Sequence, residues 1–163
     1  MANTKSAIKR IRRVSKQTLV NKARRSKYRN ALKKMNLLLE GKKKDIKSLL
    51  IDQKFVSGIG NIYASEILFL SKINPTIHAM KLSKNDCKRI IMFSKSVLNK
   101  AIKRGGSSIR DFKNISGQTG NFQKEFKVYQ RENQNCLRKK CRGKVQKIFI
   151  SNRSTFFCNI CQK

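Results

Sequence analysis

A mainly α-helical fold closed by a small C-terminal β-hairpin is predicted by three features of the 163-residue sequence. The first 40 residues contain neither Gly nor Pro, so one long helix is expected there. Apolar residues then recur at helical spacing in further segments as far as Gly105-Gly106. Near the end, Val145, Ile148 and Ile150, a turn near Asn152, then Phe156 and Phe157 read as the two strands of a hairpin.

Forty Lys and Arg face eight Asp and Glu, giving a formal charge of +32. A field of that strength calls for a polyanion, and DNA, RNA or an anionic membrane are the candidates. No apolar run approaches the roughly 20 residues of a spanning helix, so no membrane partner is expected. Residues 1–13 are basic without an apolar stretch behind them, unlike a secretory signal. The Arg-rich, acid-free first 36 residues also fit a mitochondrial transit peptide, a reading displaced by a resemblance described below. Five Cys, an odd number, argue against a complete disulfide framework and for a reducing compartment. A cytoplasmic monomer, in the bacterial cytosol or nucleoid, is expected.

The elements divide the chain into residues 1–45, 46–106, 107–135 and 136–163. In the first, Ile8, Ile11, Leu19, Ala23, Ala31, Leu32, Met35, Leu38 and Leu39 form a stripe too thin to bury a core alone. Lys5, Lys9, Arg10, Arg12, Arg13, Lys22, Arg24 and Arg25 lie around it without a single acid before Glu40. Such a segment is either a solvated basic tail or an arm that folds on RNA or DNA. Gly41 ends it, and Lys42, Lys43 and Lys44 form a charged joint. A short helix over residues 45–53, a loop over 55–60 and a helix over 61–70 follow, broken by Asn74-Pro75. A third helix starts after Ser83, with Asp86 three residues on, and buries Ile90, Ile91, Val97, Leu98, Ala101 and Ile102. Cys87, one turn earlier, is a core thiol in this reading. The polar stretch from residue 105 to 135, with Phe112, Phe122, Phe126 and Tyr129 at intervals, looks like a long loop.

Cys136-x4-Cys141 and Cys158-x2-Cys161 bracket the hairpin. Four thiolates in two knuckles suit one tetrahedral Zn²⁺, closed and therefore structural; free thiols or two disulfides are the alternatives. Gly58 and Gly60 flank one residue before Asn61 at a helix start, where free N–H groups can receive a phosphate, although such turns are often only turns. Arg153 stands at the hairpin tip, as a solvated charge or as a fork for phosphate oxygens.

Residues 47–163 resemble the C-terminal, DNA-binding half of the formamidopyrimidine-DNA glycosylases, a helix-two-turns-helix bundle followed by a zinc ribbon. The likeness runs through Phe55-Val56-Ser57-Gly58-Ile59-Gly60-Asn61-Ile62-Tyr63-Ala64-Ser65-Glu66, Asn74-Pro75, Gly105-Gly106-Ser107-Ser108-Ile109-Arg110-Asp111-Phe112, Phe126-Lys127-Val128-Tyr129 and Arg153-Ser154-Thr155-Phe156-Phe157-Cys158. It implies double-stranded DNA with oxidised-base or abasic lesions as partner, and base-excision repair as setting. It also implies that Asn61 and Arg153 hold phosphates flanking the damaged nucleotide. The loop with Ser107, Ser108, Arg110 and Asn121 would close over an everted oxidised purine. That family attacks with an N-terminal proline amine beside a Glu, on a β-sandwich preceding this region. Here the sequence opens Met1-Ala2-Asn3 and its single proline is Pro75, so a chain that binds DNA without cutting it is expected.

Met1-Ala2-Asn3-Thr4-Lys5-Ser6-Ala7-Ile8-Lys9-Arg10 and Thr18 to Ser26 resemble the start of small-subunit ribosomal protein twenty. This second likeness implies an arm for 16S ribosomal RNA carrying the eight basic residues named above. The joint expectation is a damaged-DNA-binding module with an appended rRNA-binding arm. The alternative is a small-subunit ribosomal protein with an incidental C-terminal extension.

Overall fold

The computed structural model describes residues 4–107 and 120–163, without the Leu38 side chain. Four α-helices precede one antiparallel hairpin: α1 (Lys5–Leu39), α2 (Ile46–Ile51), α3 (Asn61–Ser71), α4 (Lys84–Lys103), β1 (Val145–Ile150) and β2 (Arg153–Cys158).

Helix α1 has two different halves. From residue 4 to 27 only Ala7 is even partly covered, and Ile8, Ile11 and Leu19 lie in solvent. Beyond Tyr28, whose ring carries the Lys95 ammonium of α4 at 5.8 Å, the same stripe finds a partner. Leu32 and Met35 pack on the core and Leu39 is buried within it. The charged joint is stitched down by backbone bonds, with Ala79 N–H donating to Lys44 O (3.0 Å) and Ile46 N–H to Ile77 O (2.8 Å).

Asp45 caps α2 by accepting the Ser48 N–H at 2.7 Å, and Ile46, Leu49 and Leu50 turn inward. Helix α3 is buried along Ala64, Ile67, Leu68 and Phe69 and stops at Lys72, in left-handed backbone with φ 59°. Helix α4 begins with the anticipated Ser83–Asp86 capping box and buries Cys87, Ile90, Val97 and Ala101. Ile102 is a correction: at 76 % exposure it faces solvent, because one residue past Ala101 the helix has rotated off the core.

The stretch after residue 120 is more ordered than the loop its polarity suggested. Phe122 N–H donates to Gly106 O (3.0 Å) and Asn121 N–H to Arg104 O (2.9 Å), pinning its start. A Cβ on Gly120 would come within 2.2 Å of Gly106 O, so only glycine permits this close approach. Tyr63, Phe122, Phe126, Tyr129 and Phe156 then form a row with successive ring centroids 5.0–5.8 Å apart, mostly edge to face. That row joins α3 to the hairpin.

Candidate nucleic-acid interface and metal centre

The hairpin brings the four predicted cysteines together. The Sγ atoms of Cys136, Cys141, Cys158 and Cys161 all lie within 4.8 Å of one another. Cys136–Cys161 and Cys141–Cys158 are each 3.7 Å apart. A tetrahedral ion with 2.3 Å bonds to sulfur needs edges of about 3.8 Å, and a disulfide needs about 2.05 Å, so the spacing fits a metal. Gly143 leaves the room: a Cβ there would sit 2.7 Å from Cys158 Sγ. The Arg138 N–H points at Cys136 Sγ (3.5 Å), support that a thiolate accepts. Gln162 anchors the ribbon to the helices, donating to Ile73 O and accepting from Cys158 N–H, both at 2.8 Å.

The start of α3 meets the start of β2 over one buried amine. Lys47, on α2, has no solvent exposure. Its Nζ donates to Asn61 Oδ1 (2.5 Å), Thr155 Oγ1 (2.6 Å) and, at 3.4 Å, Ser154 O. Asn61 Nδ2 in turn donates to Ser154 O (3.0 Å) and reaches Tyr129 Oη at 3.5 Å. Asn61 is therefore first a tie between helix and hairpin, with a long, weak contact to Tyr129 that an incoming acceptor can replace. Arg153 follows the two-residue turn Ser151-Asn152, both at positive φ, and pairs with Ile150. Lys47 escaped the sequence reading, which placed it in the short helix over residues 45–53 without a role. Its only signal was the apolar company of Ile46, Leu49 and Leu50.

Burial pulls the Lys47 ammonium down to about 8; Asp45 opposes the shift and Arg153 adds to it. Between pH 8 and the ordinary lysine value of 10.5 the unfolded chain holds a proton that the native state has released. Stability from this group consequently rises with pH across that window. We expect the melting temperature of wild type relative to Lys47→Met to rise from pH 7.5 to pH 10, and a flat difference would refute the shift.

The other glycine and loop residues divide. Gly60 precedes α3 without any side-chain cap, and a Cβ there would meet only open space. Gly58 has φ 85°, and its N–H is already engaged by Gln53 Oε1 at 2.9 Å. Ser107 and Asn121 bridge each other across the base of the expected lesion loop; Ser108 and Arg110 lie outside the described residues. Lys5, Lys9, Arg10, Arg12, Arg13, Lys22, Arg24 and Arg25 are all exposed on α1, remote in sequence from the tie at Asn61. Glu66 is a second unforeseen residue. It is 2 % exposed and accepts the backbone N–H groups of Lys127, Val128 and Tyr129 at 2.9–3.0 Å. Burial pushes its carboxyl up, and these donors pull it back.

The family described as the formamidopyrimidine-DNA glycosylase H2TH domain matches residues 19–113. A formamidopyrimidine-DNA glycosylase of Roseobacter denitrificans is 45 % identical over 118 residues, 72 % of this chain and 42 % of that one. One of Bdellovibrio bacteriovorus is 45 % identical over 125 residues, 77 % and 46 %. The chain thus spans about half the length of the curated relatives it matches. Among solved structures, Lactococcus lactis Fpg in complex with DNA containing an abasic site superposes with a TM-score of 0.73 at 36 % identity, covering 81 % of this chain and 48 % of that one. The Fpg protein of Thermus thermophilus gives 0.74 at 33 % identity, covering 81 % and 50 %. The family span begins at Leu19, so the ribosomal likeness of the first 26 residues rests on sequence alone. No helix among the described residues is long and apolar enough to cross a membrane. The chain belongs to the formamidopyrimidine-DNA glycosylase H2TH-domain family.

Proposed function

We propose that this chain grips duplex DNA at an oxidised-base or abasic lesion, as the binding half of a base-excision repair protein. The observation that carries the reading is the tie of Asn61 to Ser154, which holds the uncapped start of α3 and the Arg153 strand together. Phosphates on either side of a lesion are natural ligands for that pair: one meets N–H groups at a helix start, the other a guanidinium fork. Structural relatives bound to Fapy-dG DNA and to abasic-site DNA support the choice of a damaged duplex. One Zn²⁺ on the four cysteines would fix the hairpin's shape without chemistry of its own, since all four positions are filled by sulfur. Ser107 and Asn121 would hinge the loop over the displaced base.

Arg153→Ala is the cleaner test, because the side chain is exposed and its loss leaves the fold intact. Affinity for an abasic-site duplex is expected to fall about 10- to 100-fold, the range for one hydrogen bond to a charged group. The log–log salt slope should drop by about 0.9 for the phosphate lost. Equal wild-type affinity for damaged and intact duplex would sink the lesion reading.

A further inference from the structure

The free half of α1 is the largest feature that the lesion grip does not use. Residues 5–27 carry ten Lys or Arg and no acid, and among the described residues nothing covers those cations. Helices with such a charge repel themselves, and the exposed apolar side chains are too few for a protein partner to bury. Thr18, Lys22, Arg25 and Arg29 recur at four, three and four residues along one shallow groove of α1, which puts three cations in line. Asn21 and Asn30 border the same groove and add groups able to reach base edges.

Where the arm leaves the body is informative. Ala31 and Met35 line one cavity with Val56, Ser57 and Ile59, the loop that leads into Gly60 and Asn61. The basic half therefore springs from beside the residues that grip phosphate. Twenty-three helical residues span about 34 Å, long enough to follow the winding major groove for about half a turn of B-form DNA.

We infer that the free half of α1 is a second DNA-binding element, seated in the major groove of the duplex that Asn61 and Arg153 hold and adding about half a turn to the footprint. The inference rests on the lesion-grip reading for the place of the duplex. Groove geometry favours DNA over structured RNA as the occupant. The B-form major groove admits an α-helix, whereas the A-form one is too deep and narrow for side chains to read. Charge alone would serve either.

The test uses the full chain and the triple variant Lys22→Ala, Arg25→Ala, Arg29→Ala, since alanine keeps the helix. Equal far-UV helical signal checks that it does. Affinity is measured on duplexes whose flank is lengthened base pair by base pair, across salt. Wild-type affinity should climb until one flank has gained about five base pairs, half a turn, and then level off. The variant should not climb, and its salt slope should fall by roughly 2–3 for three lost phosphates. Wild-type flank dependence and slope in the variant would overturn the inference. So would a variant that loses affinity for a 16S rRNA fragment while binding duplex as before. Because the flank series is also read on intact duplex, failure of lesion preference would sink the earlier reading without deciding this one.

Discussion

A strong chelator is expected to abolish the hairpin's strand signal and to weaken duplex binding at least about a hundredfold. Structural Zn²⁺ in small thiolate sites contributes about 10–16 kcal/mol at neutral pH, far more than a two-stranded hairpin can supply for itself. In this chain the cysteine knuckles also form part of a core: Cys136 and Cys158 pack with Phe69, Val128, Val145 and Phe156. Losing the ion should therefore loosen the hairpin from α3 as well as from itself. Arg153 and the Ser154 carbonyl that Asn61 holds both sit on β2, so both proposed phosphate grips should be lost together. Two charge-assisted contacts at about 1.5–3 kcal/mol each correspond to a hundredfold or more. Cys158→Ser should reproduce the effect without chelator, and adding Zn²⁺ should restore only the wild type. Unchanged far-UV signal and unchanged affinity after chelation would remove the metal from the account. The helices should survive, since Leu50, Ile67 and Ile90 belong to a separate cluster.

Much of this arrangement was legible in the sequence because it depends on local rules. Ser83 with Asp86, Asp45 before Ile46, and the cysteine pairs around an alternating stretch each signal their structure within a few residues. What escaped was decided at long range. Lys47 looks like one more surface cation until α3 and β2, 14 and 108 residues away, close over it. Glu66 reads as an ordinary helix residue until the 127–129 backbone arrives with three donors. Phe122, Phe126 and Tyr129 lie in a polar stretch with no helical or alternating period, so no pattern marked them as the row that couples helix to hairpin. Charge misled in the other direction at α1. A uniform basic texture hid the point near Tyr28 where an exposed arm becomes a packed helix, whereas the family match begins upstream at Leu19.

Glu66→Ala is expected to destabilise the protein by about 3–5 kcal/mol, measured as a lower denaturation midpoint at unchanged slope. The cost does not come from lost apolar packing, because Glu66 donates little of it. It comes from stranding the buried Val128 N–H and the part-buried N–H groups of Lys127 and Tyr129. Each orphaned buried donor costs about 1–3 kcal/mol, and relaxation of the segment keeps the sum below the simple total. Glu66→Gln keeps one acceptor oxygen but turns an NH₂ group toward the donors, so it should fall between. A midpoint for Glu66→Ala equal to wild type would mean that the 127–129 turn holds itself without the carboxylate. The consequence reaches binding through Tyr129, whose ring meets Phe156 edge to face at 5.0 Å and whose hydroxyl lies 3.5 Å from the Asn61 amide. Once the 127–129 backbone shifts, that ring can no longer brace both α3 and β2. The angle between the two proposed phosphate grips would then vary, so Glu66→Ala should weaken lesion-duplex affinity even at temperatures where it remains folded.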